Sequence, residues 1–285
     1  MIISRGRTRV IAAAALAITG LLAAGGQAAL AHPVPPRAAA ATPKPVIVLE
    51  HGAWADASSW DGVIQRLERD GFTVYAPPNP LRGLSADASY LHDFLTQNAA
   101  LAGRPVVLVG HSYGGAVISD AAVGDPEVKA LVYVDAFIPA PGESVGQLLA
   151  AQPGSCLAGD PATVFNAVPF PGAPAGDVDL YVLASKFPGC FASGLPAAEA
   201  AVLAATQRPF AAAAGSEPSG PVAWLTVPSW AVIGTADQVI PPAELTAMAV
   251  RAHARITYVD AGHLSLISRP GTVARVIAAA AGASG

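Results

Sequence analysis

Six short runs of apolar, largely β-branched residues recur along the chain, at 45–49, 72–76, 106–109, 129–134, 228–233 and 255–259. Each reads as a buried parallel strand, because strands covered on both faces show continuous rather than alternating hydrophobicity. Between them the period lengthens to that of a helix. Trp60, Val63, Ile64 and Leu67 share one face of a helix over 58–70, which Gly71 stops. Tyr90, Leu91, Phe94 and Leu95 are spaced for burial within 85–101. Further helices are expected over 116–122, 242–253 and 272–281. Strands alternating with helices imply an α/β fold with a doubly wound, mostly parallel six-stranded sheet.

The alternation fails between about 138 and 224. That stretch repeats Pro and Gly, carries short Ala-rich pieces such as 197–206, and shows no strand pairing. It is expected to be an inserted cap over the strand ends. The start of the chain is also set apart. Arg5, Arg7 and Arg9 precede an apolar run over 10–24 and the sequence Ala29-Leu30-Ala31. This is the pattern of a signal peptide over 1–31, followed by a Pro/Ala-rich leader over 32–45 and a single domain over 46–285. The expected product is secreted, with no membrane insertion after cleavage.

Of the 285 residues, 53% are hydrophobic and 13% charged, and the formal net charge is −4. Nothing in that balance suits nucleic acid. The two cysteines, Cys156 and Cys190, both fall in the insertion. In an exported chain an even count suggests a disulfide, with two free thiols as the alternative. Neither cysteine has the histidine-rich surroundings of a metal site. Because the sequence of the cap shows no strand pairing of its own, losing the bridge is expected to disturb it before the chemistry.

The chemistry centres on Gly110-His111-Ser112-Tyr113-Gly114, which joins the third strand to a helix. In that context Gly-x-Ser-x-Gly reads as a nucleophile elbow: Ser112 sits on a strained turn, and the glycines avoid collisions with strand and helix. A serine hydroxyl needs a base within hydrogen-bond reach. His263, just past the last strand, is the candidate. His111 fills the variable place of the elbow, His51 braces the first loop, and His32, His92 and His253 fall on the leader or helix surfaces. The base in turn needs a carboxylate. Asp237 follows the penultimate strand, Asp135 is the rival after the fourth, and Asp260 reads as structural. The order Ser112, Asp237, His263 is that of an α/β-hydrolase. The Tyr113 and Ala53 amides are placed to receive an oxyanion. Trp54 and His51 are candidates for the substrate pocket.

His51-Gly52-Ala53-Trp54, Gly110-His111-Ser112-Tyr113-Gly114-Gly115, Gly234-Thr235-Ala236-Asp237-Gln238-Val239-Ile240-Pro241 and Ala261-Gly262-His263 together resemble the α/β-hydrolase superfamily. The closest likeness is to its small serine esterase branch of pyrethroid-hydrolase-like enzymes, plant methyl-ester esterases and hydroxynitrile lyases. The resemblance implies an ester hydrolase that needs no cofactor and no metal and takes a small-molecule ester. It also implies the triad Ser112, Asp237 and His263 with oxyanion donors Ala53 and Tyr113. The chain departs from the pattern in two places: the short stretch expected before the first strand leaves no room for the N-terminal hairpin of larger members, and the cap diverges most. Three other readings remain open at this point. A hydroxynitrile lyase would add a pocket lysine, for which the cap offers only Lys186. A cofactor-free haloperoxidase would share the triad. A binding protein on the same scaffold would normally have lost a triad member.

Overall fold

The computed structural model describes residues 44–283. The expected signal peptide, and all but the last two residues of the leader, lie outside them. Strands β1 (Val46–Glu50), β2 (Thr73–Tyr75), β3 (Val106–His111) and β4 (Val128–Val134) alternate with helices α1 (Asp61–Arg69), α2 (Leu84–Gln97) and α3 (Tyr113–Ala121). The insertion follows, with α4 (Val145–Ala151), β5 (Phe165–Val168), β6 (Asp179–Val182), α5 (Ala197–Ala205), β7 (Phe210–Ala211) and α6 (Ala212–Ser216). The chain then returns through β8 (Ser229–Gly234), α7 (Pro242–Arg251), β9 (Arg255–Val259), α8 (Ser265–Ser268) and α9 (Pro270–Gly282).

The central sheet runs β2-β1-β3-β4-β8-β9, and all of its pairings are parallel. Every residue of β1, β3 and β8 is buried, whereas the edge strands β2 and β9 are partly open. Burial of a strand at every position requires cover on both faces, which the helix pairs α1–α9 and α2–α3 supply. On α2 the expected stripe is offset by one place: Leu91 and Leu95 are buried, but Tyr90 is 48% exposed. Strand order reverses at β1, between β2 and β3, and sites in such sheets lie beyond the carboxyl ends at that reversal. Glu50 stands opposite Gly110 in the β1–β3 register, so the loop after β1 emerges beside the turn after β3.

The insertion departs from expectation. It holds its own antiparallel sheet in the order β5-β6-β7. Strands of two to four residues between Pro and Gly give too few alternations to be read from sequence. Its two ends are stitched together: Trp224 Nε1 donates to the Pro139 carbonyl at 2.8 Å, and Gly142 N to that of Ser219 at 2.8 Å. Arg251 of α7 pairs with Glu143 at 2.7 Å and donates to the Ile138 carbonyl. Cys156 and Cys190 form a disulfide with their Cα atoms 5.7 Å apart. Among the described residues no helix is long and apolar enough to cross a membrane.

Candidate active site

Ser112 joins β3 to α3 with φ 52° and ψ −123°, a left-handed backbone that non-glycine residues seldom adopt. The surrounding packing imposes it. A Cβ on Gly110 would stand 2.5 Å from the Gly114 carbonyl oxygen, and one on Gly114 would stand 2.6 Å from that of Glu50. The elbow therefore presses directly on β1 and on its own helix, and only glycine fits either place.

Three strand ends bring the remaining groups together. His263 Nε2 lies 2.9 Å from Ser112 Oγ, and His263 Nδ1 lies 2.8 Å from Asp237 Oδ2. The other Asp237 oxygen accepts the Val239 and Ile240 amides at 2.8 and 3.0 Å. That leaves Oδ2 for an Nδ1–H donor and assigns the tautomer with Nε2 free to accept the serine proton. Burial pushes the His263 imidazole from 6.5 down to about 3, which keeps it uncharged at rest. Burial also raises the Asp237 carboxyl, while the two amides pull it back.

Asp135 makes its hydrogen bonds to backbone amides and not to His263. Its carboxyl is wholly buried and accepts the Gly234 amide at 2.7 Å and the Ser265 amide at 3.2 Å. It thus ties the end of β8, three residues before Asp237, to the turn that follows His263. Burial, and then the nearby Asp237, hold its carboxyl well above the usual range. Asp260 is exposed at the end of β9. His111 is fully buried against the imidazole of His263, with ring centroids 4.9 Å apart and Nε2 3.0 Å from the His263 carbonyl.

Ala53 and Tyr113 both border the cavity beside Ser112. Tyr113 opens α3, where the first amides have no intrahelical partner, so its N–H is available to an anion. The cavity measures about 360 Å³ and is lined by both the sheet end and the insertion. Trp54 lies in its wall. It donates from Nε1 to the Leu180 carbonyl at 2.8 Å and stacks on Phe165 with centroids 5.5 Å apart. His51, expected in the pocket, does not line it. Its Nδ1 donates to the Gly52 carbonyl and its Nε2 accepts the Asn79 amide, both at 2.9 Å, which makes it the brace of the first loop. Burial lowers that imidazole to about 4 and keeps it neutral.

Several contributors were not singled out in the sequence. Asn79, in the run Pro77-Pro78-Asn79-Pro80, also donates from its side chain to the His51 carbonyl at 3.0 Å. Asp87 accepts the Tyr113 hydroxyl at 2.8 Å. Phe165, Leu180 and Phe210 reach the cavity from the insertion's sheet. The prolines around Asn79 were a legible sign of a fixed turn; the others had no local signal.

Known proteins share this architecture. A carbendazim hydrolyzing esterase of Nocardioides sp. (strain SG-4G) is 36% identical over 113 residues, 36% of this chain; the match spans 46% of that relative's own length. An alpha/beta hydrolase of Aspergillus novofumigatus (strain IBT 16806) is 27% identical over 258 residues, 84% of this chain and 97% of that one. The crystal structure of a pyrethroid hydrolase from Sphingobium faniae JZ-2 has the same fold, with a TM-score of 0.63 at 24% identity over 84% of this chain and 98% of that chain. The family description "Alpha/beta hydrolase family" matches residues 46–276, nearly all of the described chain, and the chain belongs to that family.

Proposed function

We propose that the chain is a serine carboxylester hydrolase working through an acyl-enzyme. The observation that carries this reading is the unbroken relay from Ser112 Oγ through His263 to Asp237, with both links at hydrogen-bond distance. Ser112 Oγ attacks the ester carbonyl as His263 Nε2 takes its proton. The amides of Ala53 and Tyr113 hold the oxyanion. His263 returns the proton to the leaving alcohol, then takes one from water, which releases the acid. Asp237 keeps Nδ1 protonated throughout and stabilises the imidazolium. The relatives named as an esterase and a pyrethroid hydrolase support an ester as substrate. A hydroxynitrile lyase reading asks for a pocket lysine, and Lys186 is exposed and borders no part of the cavity.

The test is hydrolysis of p-nitrophenyl esters with serine-reactive phosphonate labelling. Ser112→Ala should abolish labelling and lower kcat by about 10⁴-fold or more. A variant that keeps several per cent of the activity refutes the mechanism. Export belongs to the same reading, supported by the leader's composition and by the disulfide. Secreted material should begin within a few residues of His32; full-length chain retained in the membrane would refute export.

A further inference from the structure

The wall of the cavity beside Ser112 is largely apolar, and none of its residues is charged. Besides the catalytic groups, the start of α4 brings two polar side chains to it, Ser144 and Gln147. Ser144 is 6% exposed and stands inside, whereas Gln147 is exposed and belongs to the rim. The two cap α4 reciprocally. The Ser144 amide donates to Gln147 Oε1 at 2.8 Å, and the Gln147 amide to Ser144 Oγ at 3.3 Å. Each side chain therefore serves the helix only as an acceptor. A hydroxyl also has one proton to give, and a primary amide has two. Among the described residues, nothing accepts a proton from Ser144 Oγ or from Gln147 Nε2. Capping pins Gln147 Oε1 to the backbone and so holds the adjoining NH2 in place. The cavity thus meets two free donors whose rotamer freedom is already lost to the cap, which lowers the cost of binding an oxygen there.

We propose that Ser144 and Gln147 determine substrate choice, selecting esters that carry an uncharged carbonyl oxygen remote from the scissile bond. The proposal rests on the hydrolase reading above. The scissile carbonyl sits at the Ala53 and Tyr113 amides, the remote oxygen accepts from Ser144 Oγ and Gln147 Nε2, and an apolar linker joins them along the wall. A carboxylate in the same place is disfavoured, because no cation lines the cavity to offset the hydration it would lose. A net hydrogen bond between neutral groups corresponds to a gain of about threefold to tenfold in kcat/KM.

The experiment compares p-nitrophenyl 5-oxohexanoate with p-nitrophenyl hexanoate, for an oxygen on the acyl side. It also compares 5-oxohexyl acetate with hexyl acetate, for one on the alcohol side, and Ser112→Ala gives the blank. In one pair the keto ester should exceed its partner in kcat/KM by about threefold to tenfold. The p-nitrophenyl monoester of glutaric acid should be slower than the hexanoate. Two variants remove a donor and keep the cap. Gln147→Glu retains an acceptor for the Ser144 amide, and Ser144→Gly costs an N-cap only a few tenths of a kcal/mol. General damage lowers both members of a pair alike, so the ratio within a pair reads the donors alone. At pH 7.5 Gln147→Glu should bring that ratio to one or below, since a carboxylate repels the oxygen, and Ser144→Gly should lower it. Ester hydrolysis without a keto preference in either pair, a preference that survives both variants, or a glutarate monoester as fast as the hexanoate overturns the selection and leaves the hydrolase standing. Absence of both ester hydrolysis and phosphonate labelling overturns the hydrolase reading and this one with it.

Discussion

Removing the Cys156–Cys190 bridge, as Cys156→Ser with Cys190→Ala, tests how the insertion is held. The bridge closes a loop spanning 34 positions, which in the chain-entropy model is worth about 3–4 kcal/mol. For a domain of this size each kcal/mol moves the melting temperature by about 2–4 °C, so a fall of about 6–16 °C is expected. The effect should not stop at stability. Beside Cys156, Ser155 Oγ donates to the Val239 carbonyl at 2.7 Å, and the Cys156 amide to that of Gln238 at 2.8 Å, both on the loop of Asp237. Beside Cys190, the Phe191 ring lies 5.1 Å from the His263 ring. The bridge therefore joins two segments that flank the acid and the base, and kcat should fall along with substrate selectivity. The sequence alone suggests that the cap would be disturbed before the chemistry; these contacts make the two effects expected together. Calorimetry of the parent with and without reductant, and of the double variant, gives the stability change; initial rates on two esters give the rest. Thiol titration of the unfolded, unreduced parent should find no free thiol. A double variant melting within about 2 °C of the parent would refute the tether.

Asp237→Asn should lower kcat by about 10⁴-fold through the wrong imidazole tautomer. Asp135→Asn should cost about 1–3 kcal/mol of stability, from the acceptor lost to one amide, and leave activity within about tenfold; the reverse ranking in kcat would move the triad acid to Asp135. Acid should destabilise the protein partly through His51. Its folded value of about 4 lies below the ordinary 6.5, so as pH falls the unfolded chain takes up the proton first. The stability present above pH 6.5 is thus lost between 6.5 and 4, about 3 kcal/mol in all. Urea midpoints of the parent and of His51→Gln, which lacks that titration, should converge by about that amount between pH 7.5 and 4; a constant gap would refute the assignment.

The six strands, and the places of Ser112 and His263 just past two of them, were legible because each is a local matter. A run such as Val106-Val107-Leu108-Val109 is apolar enough to demand burial on both faces, and Gly110 and Gly114 mark a turn that no larger residue fits. The residues that follow such strands must then meet at one end of a parallel sheet. The choice between Asp237 and Asp135 was not local. Both follow core strands, and only the register of β4, β8 and β9 aims one carboxylate at His263 Nδ1 and the other at the backbone of Gly234 and Ser265. Likewise His51 could line a pocket or brace a loop until the fold set Asn79 against its ring. The sheet of the insertion lay deepest. Strands as short as Phe210–Ala211 carry no periodicity, and they form because Phe165, Leu180 and Phe210 gather around Trp54, an indole more than a hundred residues away. Sequence thus determined what each segment must bury, whereas tertiary contact decided which distant groups were buried together, since that depends on strand register and loop closure rather than on any segment's own composition.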